Sequence, residues 1–153
     1  GVIGGEPDPT VLKTSLESSD LYLYFGHGSG SMYYRKLPKG GLDGCFVKSA
    51  AVVFGCSSGR VMAENKLDAP YGMPYQFLIN GAPCYIGNLW DVTDKDCDSL
   101  SDSFLSNWIK CWKPDQSKVT SLPMSLAMSR DQCKMKYLMG CAPVVHGLPL
   151  SSK

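Results

Sequence analysis

"AAVVFGCSSGR", residues 50–60, is the stretch whose reading decides the fold. Five small, β-branched or aromatic apolar residues follow one another without polar alternation. That is the pattern of a short strand buried on both faces, as in a parallel sheet covered by helices. Gly55 stops the run and allows a sharp turn, which leaves Cys56 at the carboxyl end of the strand. The same plan appears upstream in "DLYLYFGHGSG", residues 20–30, where residues 20–25 read as a buried strand, Gly26 stops it, and His27 stands at the join. A third apolar run, "PCYIGNLW" at 83–90, ends at Asp91.

In open parallel sheets, functional residues collect beyond the carboxyl ends of the strands. His27, Cys56 and Asp91 each fall just past such an end. If the three strands run parallel and side by side, the three side chains share one rim.

The rest of the chain completes an α/β pattern. Residues 1–10 read as a loop, and residues 28–49 as an excursion with a hairpin at "PKGG" (38–41). The spacing predicts a helix over 70–80, starting near Pro70 or Pro74 and ending at Asn80-Gly81. "DVTDKDCDSLSDSFLSNWIKCW" (91–112) reads as a helix. Thr93 is its cap, Asp94, Asp96 and Asp98 sit at the positive end of its dipole, and Leu100, Phe104, Leu105 and Trp108 form its apolar face, with Pro114 just past its end. A further helix is expected within 121–138, and "GCAPVVHGLPL" (140–150) is expected as an edge strand. No repeat and no second domain is visible.

The chain has 153 residues, enough for one domain with a core, and is 44% apolar and 19% charged, an ordinary globular composition. A net charge of +1 gives no global basic field for nucleic acid or an acidic membrane surface. No apolar run approaches the roughly 18 residues of a membrane span. The opening "GVIGGEPDPT" lacks the regions of a signal peptide and is expected to be a cut within a longer protein. Seven cysteines, with no C-x-x-C pair and only two histidines, favour reduced thiols over a disulfide or zinc framework. Most should pack as small buried hydrophobes. No metal or nucleotide cofactor is expected.

The chemistry open to such a rim is cysteine-based hydrolysis of an amide. A free thiol, with pKa about 8.5, is mostly protonated at neutral pH. An imidazole beside it raises the thiolate fraction and later protonates the leaving amine. The N–H groups of Gly28 and Cys56 could form an oxyanion hole, each donor contributing about 3 kcal/mol. Asp91, and after it Asp94, would supply carboxylates for an Arg or Lys of the substrate.

Other readings stand beside this one. A lone loop histidine or a strand-end cysteine is often structural, the aspartates suit a helix start, and His146 reads as structural. "GCSSG" also matches G-x-S-x-G, which would make Ser57 the nucleophile of an α/β-hydrolase esterase with Asp131 and His146. In a third reading, the glycine loops cradle an anion in a non-catalytic binding module.

Four stretches, "YFGHGSG", "VVFGCSSG", "INGAPCYIGNLWDVTDKD" and "KYLMGCAPVVHGLP", together resemble the carboxyl-terminal protease domain of separase, in the same order and over residues 20–150. The resemblance implies a caspase-like α/β fold: a mostly parallel sheet flanked by helices on both faces, its first strands lying before Gly1. It implies His27 and Cys56 as the catalytic dyad and Gly28 as the oxyanion glycine, with the acidic "WDVTDKD" segment suited to an arginine pocket. It further implies cleavage of the kleisin subunit of cohesin after arginine, inhibition by securin as a pseudosubstrate, and a long helical amino-terminal region outside this segment. Action in cytoplasm and nucleus, on chromosomes and spindle at anaphase, follows from the same resemblance.

Overall fold

The computed structural model describes residues 1–63, 65, 69–110 and 121–151. Four strands form one sheet in sequence order: β1 (Leu21–Phe25), β2 (Ala50–Phe54), β3 (Cys84–Asn88) and β4 (Pro143–Gly147). β1, β2 and β3 are parallel, with Leu21 opposite Ala50 and Ala51 opposite Tyr85; β4 is antiparallel to β3, with Cys84 opposite Gly147. Among the described residues five α-helices accompany them: α1 (Pro9–Ser18), α2 (Ser31–Tyr34), α3 (Met73–Ile79), α4 (Asp94–Lys110) and α5 (Leu122–Ser129).

Because side chains alternate along a strand, β2 feeds two cores. Ala51 and Val53 meet Leu12 and Leu16 of α1, Tyr34 of α2 and Phe77 of α3 on one face. Ala50, Val52 and Phe54 meet Leu100, Phe104 and Trp108 of α4, with Leu122 and Leu126 of α5, on the other. Phe77 and Phe104 are fully buried, and each contributes about 1.5–3 kcal/mol by leaving water. All residues of β2 and β3 are buried, as the unbroken apolar run of β2 and the apolar start of β3 predict, and β3 closes on the buried polar Asn88. Helices on both faces of a mostly parallel sheet make the caspase-like arrangement expected above. Thr93 stands just before α4, and its hydroxyl accepts from the Asp96 N–H at 3.4 Å.

Three expectations are corrected. Residues 1–10 are not loop throughout: α1 begins at Pro9, because the Asp8 carboxylate accepts from the N–H groups of Thr10 and Val11 at 2.9 and 3.0 Å, and proline suits the first helical turn. β1 is not a buried strand: it lies at the sheet edge, with Leu23 39% and Phe25 48% exposed. No hairpin forms at "PKGG": Lys39, Gly40 and Gly41 take left-handed backbone and lead into a 3-10 turn at Gly41–Gly44. The helices predicted over 70–80 and within 121–138 appear as the shorter α3 and α5, and the edge strand appears as β4. Pro114 and Cys111 lie outside the described residues. The six described cysteines are free thiols, with Cys45, Cys84 and Cys133 buried.

Candidate active site

The parallel order of β1, β2 and β3 brings His27, Cys56 and Asp91 to one edge of the sheet, each within a few residues of a strand's carboxyl end. The loops carrying His27 and Cys56 meet at their backbones. A Cβ built on Gly55 would lie 2.6 Å from the Gly26 carbonyl oxygen and closer still to that of Gly28. Only a glycine allows the Cys56 turn to lie flat against the His27 loop. The Tyr24 hydroxyl donates to the His27 carbonyl at 2.9 Å and holds that loop across the end of its own strand. His27 is exposed, and Cys56 is half-buried. Neither the Gly28 nor the Cys56 N–H has a hydrogen-bond acceptor among the described residues, so both donors are free to meet a substrate oxygen.

Under the rim lies a buried polar network that holds the Cys56 turn. The Ser58 hydroxyl donates to the Val53 carbonyl at 2.6 Å and accepts from the Asn88 N–H at 3.0 Å. The Asn88 amide donates to the Gly55 carbonyl at 3.1 Å, and the Tyr85 hydroxyl to the Ser58 carbonyl at 2.9 Å. Both Ser58 and Asn88 are 1% exposed. Gly59 then crosses the end of β3, donating its N–H to the Asn88 carbonyl at 2.8 Å; a Cβ there would lie 2.5 Å from the Gly87 oxygen. Ser58 and Asn88 escape a reading of the sequence because their letters carry no signal without the partner strand.

The acidic segment after β3 sorts into two groups. Asp91 accepts the Ser57 hydroxyl on Oδ1 at 2.7 Å. Asp96 is buried and accepts from the Thr93 hydroxyl and from the Lys134 N–H, at 3.2 and 2.7 Å. Asp94 and Asp98 are exposed, and their carboxylates have no hydrogen-bond or ion-pair partner among the described residues, although the Asp98 carbonyl accepts from the Ser101 hydroxyl at 2.9 Å. They are one turn apart on α4, where like charges repel. Cys97 stands between them with its thiol pushed up to about 11, chiefly by burial, with the charge of Asp98 and, more weakly, those of Cys56 and Asp94 adding to it. The charges of Cys56, Asp94 and Asp98 thus all act on the Cys97 thiol, and Asp98 joins the candidates expected from sequence.

The rival serine triad does not assemble. The Ser57 hydroxyl donates to Asp91, Asp131 pairs with Lys136, and His146 has no hydrogen bond to either. His146 lies opposite Tyr85, near the amino end of β3. Its ring packs against Tyr85, and its buried Nε2 has no hydrogen-bond partner among the described residues. Burial pulls its pKa below the ordinary value, with the nearby Gly59 main chain acting weakly in the opposite sense.

A family model for the separin protease domain matches residues 1–97. Separin of Emericella nidulans is 37% identical over 155 residues, covering 97% of this chain and 7% of its own length. The Saccharomyces cerevisiae separin is 36% identical, with 97% and 9% covered, and that of Mus musculus 33%, with 99% and 7% covered. The chain thus spans less than a tenth of the length of these relatives. A crystal structure of the Saccharomyces cerevisiae separase–securin complex matches the fold with a TM-score of 0.82 at 34% identity, over 97% of this chain and 9% of that one.

Proposed function

Because the chain belongs to the separin protease-domain family, we propose that it carries the catalytic loops of a cysteine endopeptidase that cuts the kleisin subunit of cohesin after arginine. The observation that carries this reading is the backbone contact at Gly55, which leaves His27 and Cys56 on touching loops at adjacent strand ends.

In this mechanism the Cys56 thiolate attacks the scissile carbonyl carbon, forming a C–S bond and placing negative charge on the oxygen. The free N–H groups of Gly28 and Cys56 receive that charge, preorganised and without cost at the moment of reaction. The C–N bond then breaks as His27 delivers its proton to the departing amine. A water molecule, giving its proton to His27, hydrolyses the thioester and frees the thiol.

Arginine selection falls to the unpaired carboxylates beside the thiol. Asp94 and Asp98 repel each other at i, i+4 when the site is empty, and a guanidinium between them relieves that repulsion. Asp91, ranked first from sequence, already has one oxygen engaged by Ser57.

By the same family argument, securin occupies this rim as a pseudosubstrate, and the enzyme works in cytoplasm and nucleus at anaphase. The exposed Leu23 and Phe25 on the edge strand support docking of this segment against the remainder of a longer protein.

The test is active-site labelling of the full-length protein. An arginine acyloxymethyl ketone is expected to modify Cys56, and Cys56→Ala to abolish cleavage of an arginine-containing kleisin site. Modification of Ser57 by a fluorophosphonate, or cleavage retained in Cys56→Ala, overturns the reading.

A further inference from the structure

Ser57, the residue after the proposed nucleophile, takes left-handed backbone at φ +53°. Lys39 is the only other non-glycine residue with positive φ among those described. Such backbone is sterically disfavoured for any residue with a Cβ, and it persists where surrounding contacts over-determine it. A glycine would adopt it freely, yet this chain uses serine, so the side chain has work to do. The contacts are on the page. The Ser57 N–H donates to the Trp90 carbonyl at 3.1 Å, the Ser57 hydroxyl to Asp91 Oδ1 at 2.7 Å, and the Cys56 thiol to the Val92 carbonyl at 3.4 Å. Three consecutive residues after β3 thus grip two consecutive residues after β2.

We propose that Asp91 is a positioning residue: through the Ser57 hydroxyl it locks the left-handed turn that aims Cys56, and it does not bind the substrate's arginine. Of the three contacts, only the Ser57–Asp91 bond joins two side chains, so it is the part of the grip that the sequence itself controls. The thiol bond to Val92 is lost whenever Cys56 ionises, which leaves the two Ser57 bonds to hold the reactive form. One Asp91 oxygen is already committed to a short hydrogen bond. Asp94 and Asp98 have both oxygens free and are better placed to take a bidentate guanidinium.

This inference rests on Cys56 being the nucleophile, and the test separates the two. In the full-length protein, steady-state cleavage is measured for an arginine peptide and for its citrulline analogue, which has nearly the same shape without the charge. Variants are Asp91→Ala, Asp91→Asn, Ser57→Ala, the double alanine variant, and Cys56→Ala.

Asp91→Asn keeps the volume and an acceptor oxygen, so it should retain kcat to within about threefold and leave the arginine-to-citrulline ratio unchanged. Asp91→Ala and Ser57→Ala should each lower kcat at least about tenfold with KM little changed, and the double variant should be no worse than either single, because both remove one bond. A collapse of the arginine-to-citrulline ratio in Asp91→Asn overturns the proposal in favour of a pocket role. So do alanine losses that multiply, and so does full activity in both single variants. Because Asp91→Asn is nearly isosteric, its result decides even if an alanine variant does not fold. Cleavage retained in Cys56→Ala overturns the underlying enzyme reading instead.

Discussion

Gly55→Ala adds one methyl group at the contact between the His27 loop and the turn of the proposed nucleophile, Cys56. Its Cβ would arrive 2.6 Å from the Gly26 oxygen and closer still to the Gly28 oxygen, where real Cβ atoms do not approach within 3.0 Å. The opposing atoms are backbone carbonyls, so no rotamer change relieves the clash. The loops must separate by at least 0.4 Å at Gly26, and on the order of 1 Å at Gly28. Displacements of about 1 Å between reacting groups cost on the order of 100-fold in rate. Overpacking adds about 1–3 kcal/mol of instability. The expected result in the full-length protein is a fall of about 100-fold in kcat/KM on an arginine peptide, with the protein still folded by circular dichroism. The rate of Cys56 labelling by an arginine probe should fall in parallel, because the same oxyanion donors are displaced. A Gly55→Ala enzyme within threefold of the parent would refute the claim that this contact sets the dyad.

Three further outcomes are expected. Asp94→Asn combined with Asp98→Asn should lower the preference for arginine over citrulline by about 10- to 100-fold, consistent with loss of a charge-assisted pair; an unchanged ratio measured by competitive cleavage places the pocket elsewhere. Ser58→Ala strands the buried Asn88 N–H and Val53 carbonyl and should destabilise the rim by about 1–3 kcal/mol, read as faster amide exchange in β2 and β3. His146 has a folded-state pKa lowered by burial, so below its ordinary value near 6.5 the unfolded state binds a proton that the folded state refuses. Protection of β4 amides should therefore be complete at pH 7–8 and decline as pH falls below about 6.5, and His146→Phe should flatten that decline.

Where the sequence spoke clearly, the physical reason is burial on both faces. β2 and the first four residues of β3 are free of polar side chains because their surroundings are protein on both faces. β1 misleads for the same reason: Tyr22 and Tyr24 pack against the α1–α3 core, but Leu23 and Phe25 are equally apolar and lie exposed at the edge. Letters report hydrophobicity, and an edge is defined by a missing neighbour. α1 did carry a signal, the Asp8-Pro9 cap, which is easily read as loop when two prolines and three glycines surround it. His27, Cys56 and Asp91 were legible as strand-end residues because strand ends are local features. The division of the aspartates was not, since Asp96 faces Lys134 and Asp91 faces Ser57, partners 38 and 34 residues away.

The direction of β4 explains why this chain, with two histidines, builds one candidate dyad. A fourth parallel strand would have brought its carboxyl end, and with it His146, to the rim shared by His27 and Cys56. Running antiparallel, β4 instead sets Pro143 opposite Asn88 at the rim and Gly147 opposite Cys84 at the far end. His146 then lies beside Tyr85, partly desolvated and held toward its neutral form, where it serves packing. The Cys56 turn is left to the pair Ser58 and Asn88 beneath it and to Asp91 beside it. Reversing one strand thus removes the competing base from Ser57. The same hydroxyl that the G-x-S-x-G pattern offers as a nucleophile becomes a hydrogen-bond donor that steadies its neighbour, Cys56.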